Sequence, residues 1–320
     1  LPRLVIQAHD FPDPDAVASS FALAYLMQQF EVPTTLVYNG VVDRISLRNM
    51  IDWLSIPIVH WKEANLTAAD KIVTVDGCIG EKNVMDLPGD EIAVIDHHQT
   101  VPPPGLWYQD VRPDYGACAT ILFEYYRDLG IAMPTAVATA LQVGLAIDTT
   151  NLTRGFRQED VTAFAHFNEV ADNDLVNRIC RNSMQLEELI HYQQLLQNLI
   201  IENRVGYAWL PTGCPKSTLG MMGDFLLAID EIDVVILASP SDDQIQLSLR
   251  SEVTAINVGL LVKQMLQELK LGFGGGHAHM AGGLIQRDRL DPADPSSHLF
   301  DLFRQRLSTP AWGSTAAAVR

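Results

Sequence analysis

Short apolar runs that break off at a carboxylate or an imidazole recur through the first half of the chain. Leu4-Val5-Ile6-Gln7-Ala8 gives way to His9, Lys71-Ile72-Val73-Thr74-Val75 to Asp76, and Ala93-Val94-Ile95 to Asp96-His97-His98. Runs of this length, rich in β-branched residues and closed by polar ones, predict strands, and Thr34-Thr35-Leu36-Val37-Tyr38 predicts another. Residues 16–30 and 47–54 carry apolar positions at helical spacing, with Asp15 standing where an N-cap would, and a short helix is expected near residues 81–85. Strands alternating with helices predict an α/β fold on a parallel, doubly wound sheet. The run Val101-Pro102-Pro103-Pro104-Gly105 must be a loop, because proline lacks the amide hydrogen that helix and ladder need. Two longer helices are expected at residues 117–129 and 135–147; the second is almost wholly apolar and so should be buried, and Asp148 at its end then needs a partner.

From about residue 160 the pattern is helical and more polar, ending in a long segment, 184–201, that predicts a connecting helix. Beyond it the strand pattern restarts at 204–210, 234–238 and 245–249, with helices from residue 222 and at 258–269, followed by the loop-like Gly272-Phe273-Gly274-Gly275-Gly276-His277. The organisation predicted is a catalytic domain at 1–182, a linker helix at 183–201 and a second, smaller α/β domain at 202–320, whose tail from residue 310 should be loosely ordered.

At 320 residues the chain exceeds the comfortable size of one hydrophobic core, which agrees with two domains. With 48% hydrophobic and 19% charged residues it has the balance of an ordinary globular enzyme. No apolar run reaches membrane-spanning length and the start has no signal-peptide pattern, so a cytoplasmic protein without a membrane partner is expected. The four cysteines, Cys78, Cys118, Cys180 and Cys214, form no C-x-x-C pair and are expected as buried thiols. A net charge of −17 argues against tight binding of long duplex nucleic acid, whose affinity comes from Lys and Arg neutralising phosphates. A small anionic substrate is compatible if a metal supplies positive charge locally.

In open parallel sheets the ligand crevice lies beyond the carboxyl ends of the strands, so the three polar strand endings should converge. Each piece has a bland reading taken singly: a hydrogen-bonded strand-end His9, turn carboxylates at Asp13 and Asp15, a surface His97-His98 pair, a helix-end Asp148, a flexible glycine loop. Chemistry explains the combination better. Two divalent ions clamping a phosphoryl displacement need a shared carboxylate and further Asp or His ligands, and His9, Asp13, Asp15, Asp76, His97 and Asp148 supply such a shell without a thiolate. Imidazole with carboxylate suits manganese, iron, cobalt or zinc better than calcium.

His9-Asp10-Phe11-Pro12-Asp13-Pro14-Asp15-Ala16 resembles the first motif of the DHH phosphoesterase superfamily, Asp76 falls at the second, Asp96-His97-His98 is the signature, and Gly144-Leu145-Ala146-Ile147-Asp148-Thr149 looks like the fourth. In the second half, Ser248-Leu249-Arg250-Ser251, Asn257-Val258 and Gly274-Gly275-Gly276-His277 resemble the DHH-associated C-terminal domain of bacterial nanoRNases and pAp phosphatases. The resemblance implies two divalent ions, manganese foremost: His9, Asp13 and Asp76 on one, Asp15, Asp76, His97 and Asp148 on the other, with Asp76 as the bridge. It implies that Asp96 orients an imidazole, that His98 meets the scissile phosphate, and that Arg250, Ser251, Gly274, Gly275, Gly276 and His277 hold substrate. The expected substrates are short RNA oligonucleotides or nucleotide phosphate esters, with a pyrophosphatase or exopolyphosphatase, a cyclic-dinucleotide phosphodiesterase or a non-catalytic nucleotide sensor as the alternatives, and a homodimer is one possible assembly. Against the family pattern, Pro14 replaces a usual glycine, His279 is an extra imidazole without a role, and Cys118 stands where a hydroxyl residue would contact substrate.

Overall fold

The computed structural model describes residues 3–181 and 184–309; the tail expected to be loose, 310–320, lies outside them. The chain divides into two compact units, Leu1–Met184 and Gln185–Arg320. The first runs β1 (Leu4–Ala8), α1 (Pro14–Gln29), β2 (Thr34–Tyr38), α2 (Ile45–Trp53), β3 (Ile58–His60), β4 (Lys71–Val75), β5 (Asp90–Asp96), β6 (Tyr108–Val111), α3 (Cys118–Leu129), α4 (Thr135–Asp148), α5 (Gln158–Val170) and α6 (Asn173–Arg181).

Its six strands are all parallel, in the order β3-β2-β1-β4-β5-β6. The order reverses between β1 and β4, the switch point at which doubly wound sheets bind ligands. One face is buried under the helices, with Ile6, Leu36, Val75 and Ile95 against Leu23, Ile121, Leu141 and Phe167. On the other, a smaller cluster of Val5, Val37 and Ile72 is covered by Ala64 and Leu87. Helix α4 is buried along nearly its whole length, as its apolar sequence predicts.

The second unit comprises α7 (Leu189–Asn198), β7 (Ile200–Glu202), β8 (Val205–Trp209), α8 (Lys216–Leu227), β9 (Val234–Pro240), β10 (Gln244–Ser251), α9 (Val258–Glu268), β11 (Gly272–Gly276), β12 (Met280–Gln286) and α10 (Pro295–Leu307). Its sheet has the order β11-β12-β10-β9-β8-β7, antiparallel except for the β8–β9 pair. No helix among the described residues is long and apolar enough to cross a membrane. The four cysteines are free, Cys78 and Cys118 buried and the others partly so.

Three expectations fail locally. Residues 81–85 form turns rather than a helix, because their backbone serves the first strand's loop: the Met85 carbonyl accepts from Gln7 Nε2 at 2.7 Å and the Met85 amide donates to Asp10 Oδ1 at 3.1 Å. The segment expected as one linker helix is a 3-10 turn at Leu186–Glu188, then α7, then a strand, since the β-branched pair Ile200-Ile201 joins the ladder opposite Tyr207 and Gly206. The triple glycine is not a loose loop but strand β11, paired with Ala281, Gly282 and Gly283.

Candidate metal centre

Asp13, not Asp15, is the N-cap of α1: its side chain accepts from the Ala16 amide at 3.0 Å, and Pro14 takes the first helical position, where its fixed φ and missing N–H cost nothing. Asp15 is thereby carried into the first turn of the helix, fully buried. Both its oxygens accept amides from the start of α3, Cys118 N at 2.6 Å and Ala119 N at 3.0 Å. Cys118 therefore serves through its backbone; its thiol is buried and directed at the Ile95 carbonyl, 3.7 Å away. Helix α4 comes close enough to Asp15 only because residue 144 is glycine: a Cβ there would stand 2.9 Å from both Cα and Oδ1 of Asp15. The same helix ends at Asp148.

Asp76 follows β4 with φ +59°, a left-handed conformation that is uncommon outside glycine, in which its amide donates to the Ile95 carbonyl at 2.9 Å. Its buried carboxylate faces two ways. Oδ2 lies 3.7 Å from His9 Nε2, and Oδ1 lies 3.3 Å from His97 Nε2 and 3.8 Å from His98 Nδ1. His9 Nε2 is also 3.7 Å from Asp13 Oδ2, and His97 Nε2 is 3.6 Å from Asp148 Oδ2. Most of these separations are long for hydrogen bonds, whereas ligand atoms sharing an ion through bonds of about 2.1 Å sit roughly 3.0–3.4 Å apart. Both Asp76 oxygens and His97 Nε2 are buried without a hydrogen-bond partner. Buried polar atoms seldom go unpaired, and here they point at one another across the space a cation would fill. Among the described residues, three groups could hold an ion: His9, Asp13 and Asp76; Asp15, His97 and Asp148; and Asp76, His97 and His98. The donors present thus fit divalent metal binding.

The electrostatics agree. Burial, then the charge of Asp76, pushes the Asp15 carboxyl well above its usual range, and burial with the charges of Asp13 and Asp15 does the same to Asp148. Burial alone would lower His9, but Asp13 and Asp76 outweigh it and push it up to about 10. Without a cation these carboxylates are held at the expense of mutual repulsion.

Backbone carbonyls orient His9 and His97 through their far nitrogens: Asp10 O is 2.9 Å from His9 Nδ1, and Tyr115 O is 3.1 Å from His97 Nδ1. Asp96 instead orients His98. It accepts from His98 Nδ1 at 2.8 Å and from the His98 amide at 3.1 Å, while Thr100 Oγ1 donates to its other oxygen at 2.8 Å. Against its burial, these contacts hold the Asp96 carboxyl down at about 2.

Some contributors escaped the sequence reading. Asp160, buried on α5, accepts from the Gly116 and Arg157 amides at 2.9 and 2.7 Å and from Thr120 Oγ1, bracing the turn that delivers Tyr115 and the start of α3. Its signal was the acid at the third position of a helix. Arg44, at the N-cap of α2, adds to the pull of His9 that lowers Asp13 against the effect of burial.

The residues expected to hold substrate lie in the second unit. Arg250 is buried: Nε donates to Asp224 Oδ1 at 2.7 Å, Nη1 to Ser248 Oγ and the Leu249 carbonyl, and Nη2 to the Gly220 carbonyl. Gly220 and Gly223 make room for it, since a Cβ at either would stand 2.9 Å from its side chain. Ser251 is buried too, its hydroxyl accepting from the Val253 amide at 3.1 Å. Gly274 and Gly275 lie within β11, Gly276 ends it at φ +147°, and the exposed His277 follows, its carbonyl accepting from the Gly259 amide at the start of α9. His279, the extra imidazole, places Nδ1 3.0 Å from the Ser251 carbonyl.

This chain belongs to the DHH superfamily: residues 3–145 match the DHH family N-terminal domain, and residues 202–295 match the DHHA1 domain. Among individual relatives, it is 27% identical over 283 residues to an uncharacterized protein of Methanocaldococcus jannaschii, covering 88% of this chain and 58% of that protein. It is 27% identical over 157 residues to a probable manganese-dependent inorganic pyrophosphatase of Streptococcus mutans, covering 46% of this chain and 48% of that protein. The chain thus spans about half the length of these curated relatives. An exopolyphosphatase-related protein from Bacteroides fragilis shares the fold, with a TM-score of 0.76 at 18% identity over 96% of this chain and 92% of that one.

Proposed function

We propose that the chain is a phosphohydrolase that works with two divalent ions, manganese foremost, on short RNA oligonucleotides or on nucleotide phosphate esters such as pAp. The observation that carries this reading is the buried, unpaired carboxylate of Asp76, whose two oxygens face two different sets of ligands. His9, Asp13 and Asp76 would hold one ion, and Asp15, Asp76, His97 and Asp148 the other. The charge of these four carboxylates is what two divalent ions would cancel. When bound, such a pair of ions lowers the pKa of water and offsets the charge that develops on phosphoryl oxygens.

The chain's own residues then have separate tasks. The Asp96 carboxylate, 2.8 Å from His98 Nδ1, fixes the ring so that Nε2 is the nitrogen presented to a phosphoryl oxygen or leaving group. The α3 amides hold the Asp15 carboxylate in place for an ion. In the second unit Arg250 and His277 are the proposed phosphate contacts, with Arg250 exchanging Asp224 for the ligand.

Substrate length follows from charge. A chain at −17 gains nothing from phosphates that lie beyond its few basic groups, so efficiency should peak at about two to five nucleotides, the range that the resemblance implies. Pyrophosphate is the second reading, favoured by the likeness to the probable pyrophosphatase of Streptococcus mutans. A manganese assay with pyrophosphate, pAp, cyclic dinucleotides and 5′-labelled RNAs of about two to about twenty-four nucleotides separates these readings. Steeply falling kcat/KM with RNA length supports the proposal. Turnover of pyrophosphate alone moves the chain to the second reading, and equal or rising efficiency toward long RNA overturns the short-substrate assignment.

A further inference from the structure

Phe11 stands between the ligands His9 and Asp13, yet it is 59% exposed. Its backbone has φ +54°, an outlier for a bulky aromatic residue. Leaving a large ring in water and holding it in a left-handed conformation are both unfavourable, and such outliers cluster where a ligand is clamped. The loop that presents it is fixed on both sides: the Asp10 amide donates to the Asn83 carbonyl at 2.6 Å, and the Phe11 amide to the Asn39 carbonyl at 2.9 Å.

The ring rests on Gly40, where a Cβ would come within 2.8 Å of it. Asn39 is held in turn, its Oδ1 accepting from Trp61 Nε1 at 3.1 Å. All of this lies beyond the carboxyl ends of β1, β2 and β3, on the sheet edge that carries the metal ligands. A rigid, solvent-facing ring therefore flanks an anion-binding centre. Phosphate held at the ligands leaves the rest of a nucleotide to find a surface, and every nucleobase has a flat face that an aromatic ring can stack on whatever its sequence.

We propose that Phe11 is the stacking surface for the nucleobase of a nucleotide whose phosphate is held at the neighbouring metal ligands. The assignment rests on the proposed function and adds a preference for base-bearing over base-free phosphates. Isothermal calorimetry in manganese tests it, with AMP and ribose 5-phosphate as probes. The native chain should bind AMP about tenfold more tightly than ribose 5-phosphate, the size of one base–aromatic stack. Phe11→Asn suits a left-handed backbone and removes the ring, so it should bring AMP to the ribose 5-phosphate level without the risk of misfolding; Phe11→Trp should preserve the preference. Equal affinities in the native chain, or a preference that survives Phe11→Asn, overturns the proposal. A Phe11-dependent preference in a chain that hydrolyses nothing in the substrate panel supports stacking while the phosphohydrolase reading falls.

Discussion

Gly144→Ala tests whether the metal centre depends on how closely two helices approach. The added Cβ would stand 2.9 Å from Cα and Oδ1 of Asp15 and 3.4 Å from its Cβ, where ordinary contacts are 3.4–4 Å. Helices α1 and α4 must therefore part by roughly half an ångström, or Asp15 must turn. Neither is easy, because Asp15 is gripped by two amides at 2.6 and 3.0 Å and the core around it is fully buried. Overpacking of this kind costs about 1–3 kcal/mol. If the strain is relieved by displacing Asp15, the same energy appears as about 5- to 150-fold weaker binding at the ion site shared with His97 and Asp148. Manganese titration should show one site weakened and the other, built from His9, Asp13 and Asp76, little changed. A purified Gly144→Ala chain that binds manganese at both sites with native affinity refutes the claim that close helix packing sets Asp15.

Asp96→Asn should lower kcat at least tenfold with the manganese content intact, because Asp96 holds His98 whereas His97 hangs from the Tyr115 carbonyl; metal analysis showing lost manganese would contradict this. Arg250→Lys should raise KM with metal content unchanged, since lysine cannot reproduce the guanidinium fork; an earlier thermal transition with an unchanged KM would make Arg250 a strut between β10 and α8. For pH, His9 at about 10 in the metal-free fold lies above an unfolded histidine, so its contribution is complete below about pH 6.5 and is lost as pH rises toward 10. Asp15 and Asp148, also raised, help the fold only while protonated, whereas the lowered Asp13 keeps its contribution above about pH 4. The metal-free chain should therefore lose stability as pH rises from about 6.5 toward 10, and the rise in Tm given by manganese should widen over the same interval. Thermal melts with manganese and with chelator check this, and a constant gap would count against it.

The strands of the first sheet were legible because their apolar runs end at abrupt polar stops; β1, β2 and β4 begin and end where the pattern says. Most of the proposed ligands were legible for the same reason: His9, Asp76 and His97 come at or just after such a run and Asp148 closes an apolar helix, while Asp13 and Asp15 stand at the start of α1. What holds them was not. The amides of Cys118 and Ala119 and the carbonyl of Tyr115 are backbone groups, which any residue would offer, so no side chain announces them. Glycine misled in one place, since Gly274-Gly275-Gly276 has no side chains to show strand alternation, and the ladder with Ala281, Gly282 and Gly283 emerges only from pairing. Ile200 and Ile201 fit a helix by periodicity and a strand by branching, and tertiary pairing decided between them.

The six proposed ligands of the first unit lie between residues 9 and 148, on the ends of β1, β4 and β5, at the start of α1 and at the end of α4. Parallel strands are joined only through long crossovers, and such non-local contacts form late. Even the set His9, Asp13 and Asp76 needs β4 paired beside β1, and no fragment gathers both proposed ion sites before β5 has joined and α4 has docked. If the chain binds manganese as proposed, the metal added during refolding should find no complete pair of sites before the rate-limiting step and should leave the folding rate nearly unchanged. Once seated, it would tie elements far apart in sequence, and its effect would fall on the escape from the native state: the metal would act as a latch on a door that has already shut.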